Sequence, residues 1–258
     1  MQRLGINKDR YAGEQIDLDA VLAGGLRSAA AYGWQIDTIP VEAGPELVAF
    51  RRSTGAARKR AYLSTGIHGD EPAGPLAVRR LLEENSWPEN LDLWVCPCLN
   101  PSGFKLNRRE NAQGLDLNRD YRHLQSAEIR AHVAWLRRQP QFELTLCLHE
   151  DWEAHGFYLY ELNPDAQPSL AEAMIAGVQP VCPIDPSPLI EGREAENGII
   201  RPNLDPRSRP QWPESFFLIQ TKTRLSYTLE APSDFTLATR ANALVAAART
   251  ALALISES

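Results

Sequence analysis

His68 and Glu71 stand three residues apart in the stretch Thr65-Gly66-Ile67-His68-Gly69-Asp70-Glu71-Pro72-Ala73-Gly74. A neutral nitrogen ligand and a carboxylate at that spacing can converge on one metal ion from a single loop, leaving the rest of the coordination sphere to distant parts of the chain. Alone, the pair also reads as a helix-capping acid beside a surface histidine. Two later residues change the weighing. His149 closes the apolar run Leu144-Thr145-Leu146-Cys147-Leu148, and Glu230 closes Leu225-Ser226-Tyr227-Thr228-Leu229. Two imidazoles and a carboxylate make a three-ligand site whose fourth position is left to water, and a further carboxylate nearby suits a general base for that water. Each has an ordinary alternative, a satisfied strand-end histidine or a solvated acid. His149-Glu150 is not the start of an H-E-x-x-H helix motif, because the next histidine, His155, is at the wrong offset. His123, His132 and His155 are read as non-ligands, with His132 on the surface of an amphipathic helix.

These residues need strands to carry them. Ala61 to Ser64 is an apolar run that leads into the His68 turn, and Leu76 to Leu82 is a helical pattern that leads out. Asp17 caps a first helix that Gly33 ends, and Trp34 to Val41 and Glu46 to Arg52 read as strands. The polar turn Ser53 to Arg58 follows. Leu91 to Pro97 is a strand, residues 99–122 a turn and long irregular segment, and Ser126 to Gln139 a helix. Phe142 to Leu148 and Gly156 to Leu162 are strands, with a helix over Ser169 to Val178. Residues 180–215 lack periodicity and are long for a structureless connection, which marks a functional loop. Phe216 to Gln220 and Arg224 to Glu230 read as a strand pair or one bent strand, and Asp234 to Ile255 as a helix. Strands alternating with helices predict an α/β fold, a mixed, mostly parallel central sheet with helices on both faces. No repeat or low-complexity linker divides residues 1–258, so one domain is expected. Ligands of open α/β sheets bind at the carboxyl ends of strands, so His68, Glu71, His149 and Glu230 would meet at one rim if their strands are parallel neighbours.

A net charge of −6 gives no electrostatic reason to expect nucleic acid as a partner, and no apolar run reaches membrane-spanning length. The first residues lack the apolar core of a secretory signal. Four cysteines without zinc-ribbon spacing read as buried thiols in a reducing compartment, so a cytoplasmic location is expected.

Between the strands lie Asn100-Pro101-Ser102-Gly103, Arg109-Glu110-Asn111 and Gly114-Leu115-Asp116-Leu117-Asn118-Arg119. The ordered set HxxE, NPxG, RxN, GxDxNR, strand-end His and strand-end Glu resembles the zinc carboxypeptidase superfamily over roughly residues 60–240. That group includes carboxypeptidase A, murein peptide amidases and the succinylglutamate desuccinylase/aspartoacylase branch. The resemblance implies one Zn2+ held by His68, Glu71 and His149, with Asp116 orienting the first histidine. It implies Glu230 as the catalytic glutamate, Arg109 as oxyanion stabiliser, and Asn118 with Arg119 as the grip on a free carboxylate of the substrate. The chemistry implied is hydrolysis of an amide bond in a small peptide or an N-acyl amino acid.

Within the superfamily, the NPxG and GxDxNR phrases look closest to the peptidases, and little chain follows Glu230. A carboxypeptidase or peptide amidase is therefore the first expectation, an N-acyl-amino-acid deacylase the second, and a non-catalytic peptide binder the third. The mobile tyrosine of the digestive enzymes has no match by motif; only the Arg/Pro-rich 201–213 loop is placed to host it.

Overall fold

A computed structural model describes residues 2–7, 11, 13–55, 59–203, 205 and 209–257. Residues 56–58 of the polar turn, and 204 and 206–208 of the 201–213 loop, lie outside the described residues.

The chain opens with α1 (Leu18–Ala31), capped as expected by Asp17, whose carboxylate accepts from the Ala20 N–H. There follow β1 (Gln35–Ile39), β2 (Leu47–Arg52), β3 (Lys59–Thr65), α2 (Ala73–Glu84), β4 (Leu91–Cys96) and α3 (Pro101–Leu106). After a 3-10 turn over Leu117–Arg119 come α4 (Ala127–Arg138), β5 (Leu144–Asp151), β6 (Tyr158–Leu162) and α5 (Ala171–Val178). Short strands β7 (Leu189–Ile190), β8 (Arg193–Glu194) and β9 (Ile199–Ile200) precede α6 (Glu214–Thr221), β10 (Ser226–Pro232) and α7 (Leu237–Glu257).

Eight strands form one sheet in the order β1-β2-β4-β3-β5-β10-β6-β9, with β7 and β8 pairing apart as a small hairpin. β4, β3, β5 and β10 run parallel, while β1, β2 and β6 add antiparallel pairings. The parallel strands are buried on both faces, which explains their near-continuous apolar runs. Ala61, Leu63, Leu144, Leu146, Leu148, Tyr227 and Leu229 face α1, α2, α5 and α7. Tyr62 and Cys147 face the other way, into a second cluster with Ile129 and Val133 of α4 and Phe217 and Leu218 of α6. Leu63, Leu146 and Leu229 are each at most 1% exposed, and burying a side chain of that size is worth about 1.5–3 kcal/mol. The mixed, mostly parallel sheet with helices on both faces is the architecture expected.

Several local expectations need correction. Phe216 to Gln220 is helical, because α6 is buried around most of its surface and a wholly apolar run carries no period to tell helix from strand. The irregular segment after Leu99 contains α3, with Asn100 as its side-chain cap and Pro101 in its first turn. β5 does not end on His149 but continues to Asp151. His132 is fully buried rather than on the surface, between the hydroxyls of Tyr62 (2.9 Å from Nε2) and Tyr121 (2.7 Å from Nδ1). All four cysteines are free and buried.

Candidate metal centre

β3 delivers its last residue, Thr65, into a turn where Gly66 takes φ +65°, a conformation costly for any side chain. Three residues on, a Cβ at Gly69 would stand 2.1 Å from the Gly103 carbonyl carbon, so the His68 loop lies backbone to backbone on the start of α3. Asn100 joins the segments: its Nδ2 donates to Ile67 O (3.0 Å) and Arg109 O (3.2 Å), and its Oδ1 accepts from Gly103 N–H (2.9 Å). His68 therefore leaves a braced loop.

β3 and β5 are parallel neighbours, and so are β5 and β10, with His149 and Glu230 as register partners. Residues paired this way point to the same face of a sheet. His68 Nδ1 lies 2.5 Å from Glu71 Oε1, and His149 Nδ1 lies 3.0 Å from Glu71 Oε2. The three donor atoms all fall within 4.8 Å of one another, and all three residues are buried. Two imidazole nitrogens aimed at one buried carboxylate form a donor set that can chelate a divalent ion, with room for a non-protein ligand. The Zn2+ expectation fits this donor chemistry, which other divalent ions share.

Surrounding groups hold the set in place. Glu71 Oε2 also accepts from the Glu150 N–H (3.1 Å). Asp116 Oδ1 lies 3.3 Å from His68 Nε2, and its Oδ2 accepts from Arg109 Nε at 2.9 Å, while Arg109 also reaches Glu71 at 3.8 Å. A carboxylate on the far nitrogen of a ligand histidine fixes its tautomer and raises its basicity. Burial alone would raise the Glu71 carboxyl, but His68 and His149 outweigh it and hold it well below the usual range. Asp116 is likewise depressed by His68, Arg109 and Arg119 against its burial. Glu230 goes the other way. Burial, then the charges of Glu71, Glu191 and Asp151, push it well above the usual carboxylate range.

The triad opens into a cavity of about 660 Å³ that Arg109, Asn118, Arg119 and Glu230 also line, so the expected site residues other than Asp116 share one space. The cavity wall holds further residues that sequence reasoning missed: Tyr160, Glu191, Arg193 and Arg209. Glu191 and Arg193 come from the β7–β8 hairpin, whose turn takes positive φ at Glu191 and Gly192. Arg209 lies 4.8 Å over the Phe216 ring. Among the described residues Arg119, Arg193 and Arg209 make no salt bridge; Arg119 donates to Asn118 O and Arg209 to Asn203 O, both backbone carbonyls. No periodic signal marks these positions. The only hint is the length of the 180–215 segment.

A buried His-Glu-His cluster at the carboxyl rim of a mixed α/β sheet, opening into a cavity, defines an α/β protein with a candidate metal centre. Comparison with known proteins narrows the class. Residues 57–179 match the family described as the succinylglutamate desuccinylase/aspartoacylase catalytic domain. Carboxypeptidase SOL1 of Arabidopsis thaliana is 33% identical over 107 residues, a match covering 32% of this chain and only 21% of that protein. A candidate metallopeptidase of Shewanella denitrificans superposes with a TM-score of 0.81 at 20% identity, covering 96% of this chain and 99% of that one. A second, from Shewanella amazonensis, gives 0.81 at 21% identity with 94% of each chain covered. A metallo-carboxypeptidase of Pseudomonas aeruginosa, in complex with (2-guanidinoethylmercapto)succinic acid, gives 0.66 at 20% identity over 92% of this chain and 68% of that one. At those identities the structures attest the fold. The chain has the zinc carboxypeptidase-like fold, and its family match, over a little under half of its length, falls on the desuccinylase/aspartoacylase branch rather than on the peptidase branch favoured by motif.

Proposed function

We propose that the protein is a zinc-dependent amide hydrolase that removes the acyl group from an N-acyl amino acid carrying a free carboxylate. The observation that carries this reading is the pairing of the His68-Glu71-His149 cluster with Glu230 one strand away. A divalent cation on the triad would polarise a water and the scissile carbonyl. Glu230, half-buried at the same rim with its carboxyl raised, would take a proton from the attacking water and return it to the leaving amine. Arg109, aligned by Asp116, holds the developing oxyanion. Asn118 and Arg119 hold the amino-acid carboxylate, which suits a guanidinium fork. A binding module has no use for a proton acceptor at this position, which favours turnover over mere retention.

The desuccinylase/aspartoacylase match supports the deacylase reading, and so does the cluster of Arg119, Arg193 and Arg209. Three guanidinium groups that pair with no carboxylate among the described residues suit a substrate with more than one carboxylate. A second reading, cleavage of short peptides beside a free carboxylate, is favoured by the cavity of about 660 Å³, which exceeds what a small acyl group needs. A hydrolysis panel separates the two. Zinc-loaded protein is offered N-acetyl and N-succinyl derivatives of acidic and neutral amino acids alongside short L- and D-containing peptides. Faster turnover of the acyl derivatives supports deacylation, and peptide turnover alone replaces it with the peptidase reading. Hydrolysis of neither by a fully metallated protein ends both.

A further inference from the structure

Asn118 lines the cavity, but its side-chain oxygen is already taken. Oδ1 accepts from the backbone N–H of Glu214 at 2.8 Å, while Nδ2 makes no hydrogen bond to a described residue. This polarity matters for an anion. An asparagine that turned its oxygen to the cavity would repel a carboxylate, whereas one that turns its NH2 there donates to it. The Glu214 N–H is the group that selects the second orientation.

The Glu214 side chain is itself moored. Its Oε1 accepts from Tyr62 OH and its Oε2 from Ser64 OH, each at 2.8 Å, both from β3. Tyr62 OH lies 2.9 Å from His132 Nε2, and His132 Nδ1 lies 2.7 Å from Tyr121 OH. Glu214 is 1% exposed and has no cationic partner among the described residues. Burying a carboxyl this way costs free energy that two hydroxyl donors offset only in part. Its backbone neighbours Pro213, Ser215 and Phe216 line the cavity, and Arg209 stacks on Phe216.

We propose that Glu214 is a positioning residue for the substrate carboxylate: moored on Tyr62 and Ser64, it sets the backbone N–H that fixes which end of the Asn118 amide faces the cavity. The inference rests on the reading above, in which Asn118 holds a carboxylate.

The test combines steady-state kinetics with a crystal structure of Glu214→Ala. KM for an acyl amino acid with a free carboxylate should rise about tenfold while kcat stays within about twofold, the mark of lost ground-state binding. Glu214→Gln, which can still bond both hydroxyls, should return KM to near the wild-type value. In an Asn118→Ala background Glu214→Ala should add little, because the two act through one contact. The structure should show the Asn118 Oδ1 to residue 214 N–H bond broken. If Glu214→Ala does not fold, the pair Tyr62→Phe with Ser64→Ala removes the mooring from the other side and is read the same way. A lowered melting temperature with KM unchanged and Asn118 unmoved would overturn the proposal. So would a KM increase of equal size with Asn118 already removed. A wild type that turns over no substrate, together with a displaced Asn118 in the variant, sinks the functional reading and leaves the positioning intact.

Discussion

His149 and Glu230 are register partners on adjacent parallel strands, so one sheet rung carries both a candidate metal ligand and the carboxyl proposed as proton acceptor. Their roles separate on mutation. Glu230→Gln should keep a full equivalent of zinc and lose about 10²–10⁴-fold in kcat, the usual worth of general acid–base catalysis. Metal analysis beside kinetics decides it, and a Gln variant with near wild-type turnover would remove Glu230 from the proton path.

His149→Ala should lose the metal itself. Two of three protein ligands would remain, and zinc measured after dialysis against a weak chelator should fall well below one equivalent. Full retention would take His149 out of the ligand set.

Asp116 bridges the far nitrogen of His68 and the guanidinium of Arg109. Asp116→Asn should weaken zinc affinity by about 10–100-fold without unfolding the protein. Competition with a chromophoric chelator measures it, and unchanged affinity would mean the contact is incidental.

Arg193→Ala and Arg209→Ala should raise KM for substrates with two carboxylates by about tenfold each, and leave monocarboxylate substrates nearly unaffected. Equal effects on both classes would place these guanidinium groups outside the substrate.

Burial pushes the Glu214 carboxyl up to about 7, against the bonds from Tyr62, Ser64 and Cys147. An unfolded glutamate titrates near about 4.3, so between there and pH 7 the folded chain binds more protons and stability falls as pH rises. His132, pushed down to about 3 by burial, works in the opposite sense below about 6.5. The difference between wild type and Glu214→Gln isolates the carboxyl. The Gln variant should melt at an equal or higher temperature at pH 8 and lose ground relative to wild type towards pH 5. Parallel melting curves across that range would place the carboxyl's titration outside this window.

His68, His149 and Glu230 were legible because each ends an apolar run long enough to be a strand, and parallel inner strands bring their carboxyl ends together whatever the details of the loops. Asn118 and Arg119 were legible only as part of an ordered set of phrases. α3 carried a readable start in Asn100-Pro101 that the turn-like Ser102-Gly103 obscured. His132 was misplaced because its partners Tyr62 and Tyr121 sit on other elements, and an amphipathic pattern cannot reveal a polar residue matched by distant hydroxyls. Arg193 and Arg209 reach the cavity from a hairpin and a loop whose paths depend on contacts rather than on period.

β10 is the last strand in the chain, yet it lies inside the sheet, between β5 and β6. Until it arrives, both neighbours present unpaired edges, and the rung that brings Glu230 beside His149 does not exist. During synthesis the histidines can emerge and even meet a metal ion long before the proton acceptor joins them. Closure by a late central strand is a slow, long-range event, so the pairing of the candidate metal ligand with the proposed proton acceptor is one of the last features the sheet acquires.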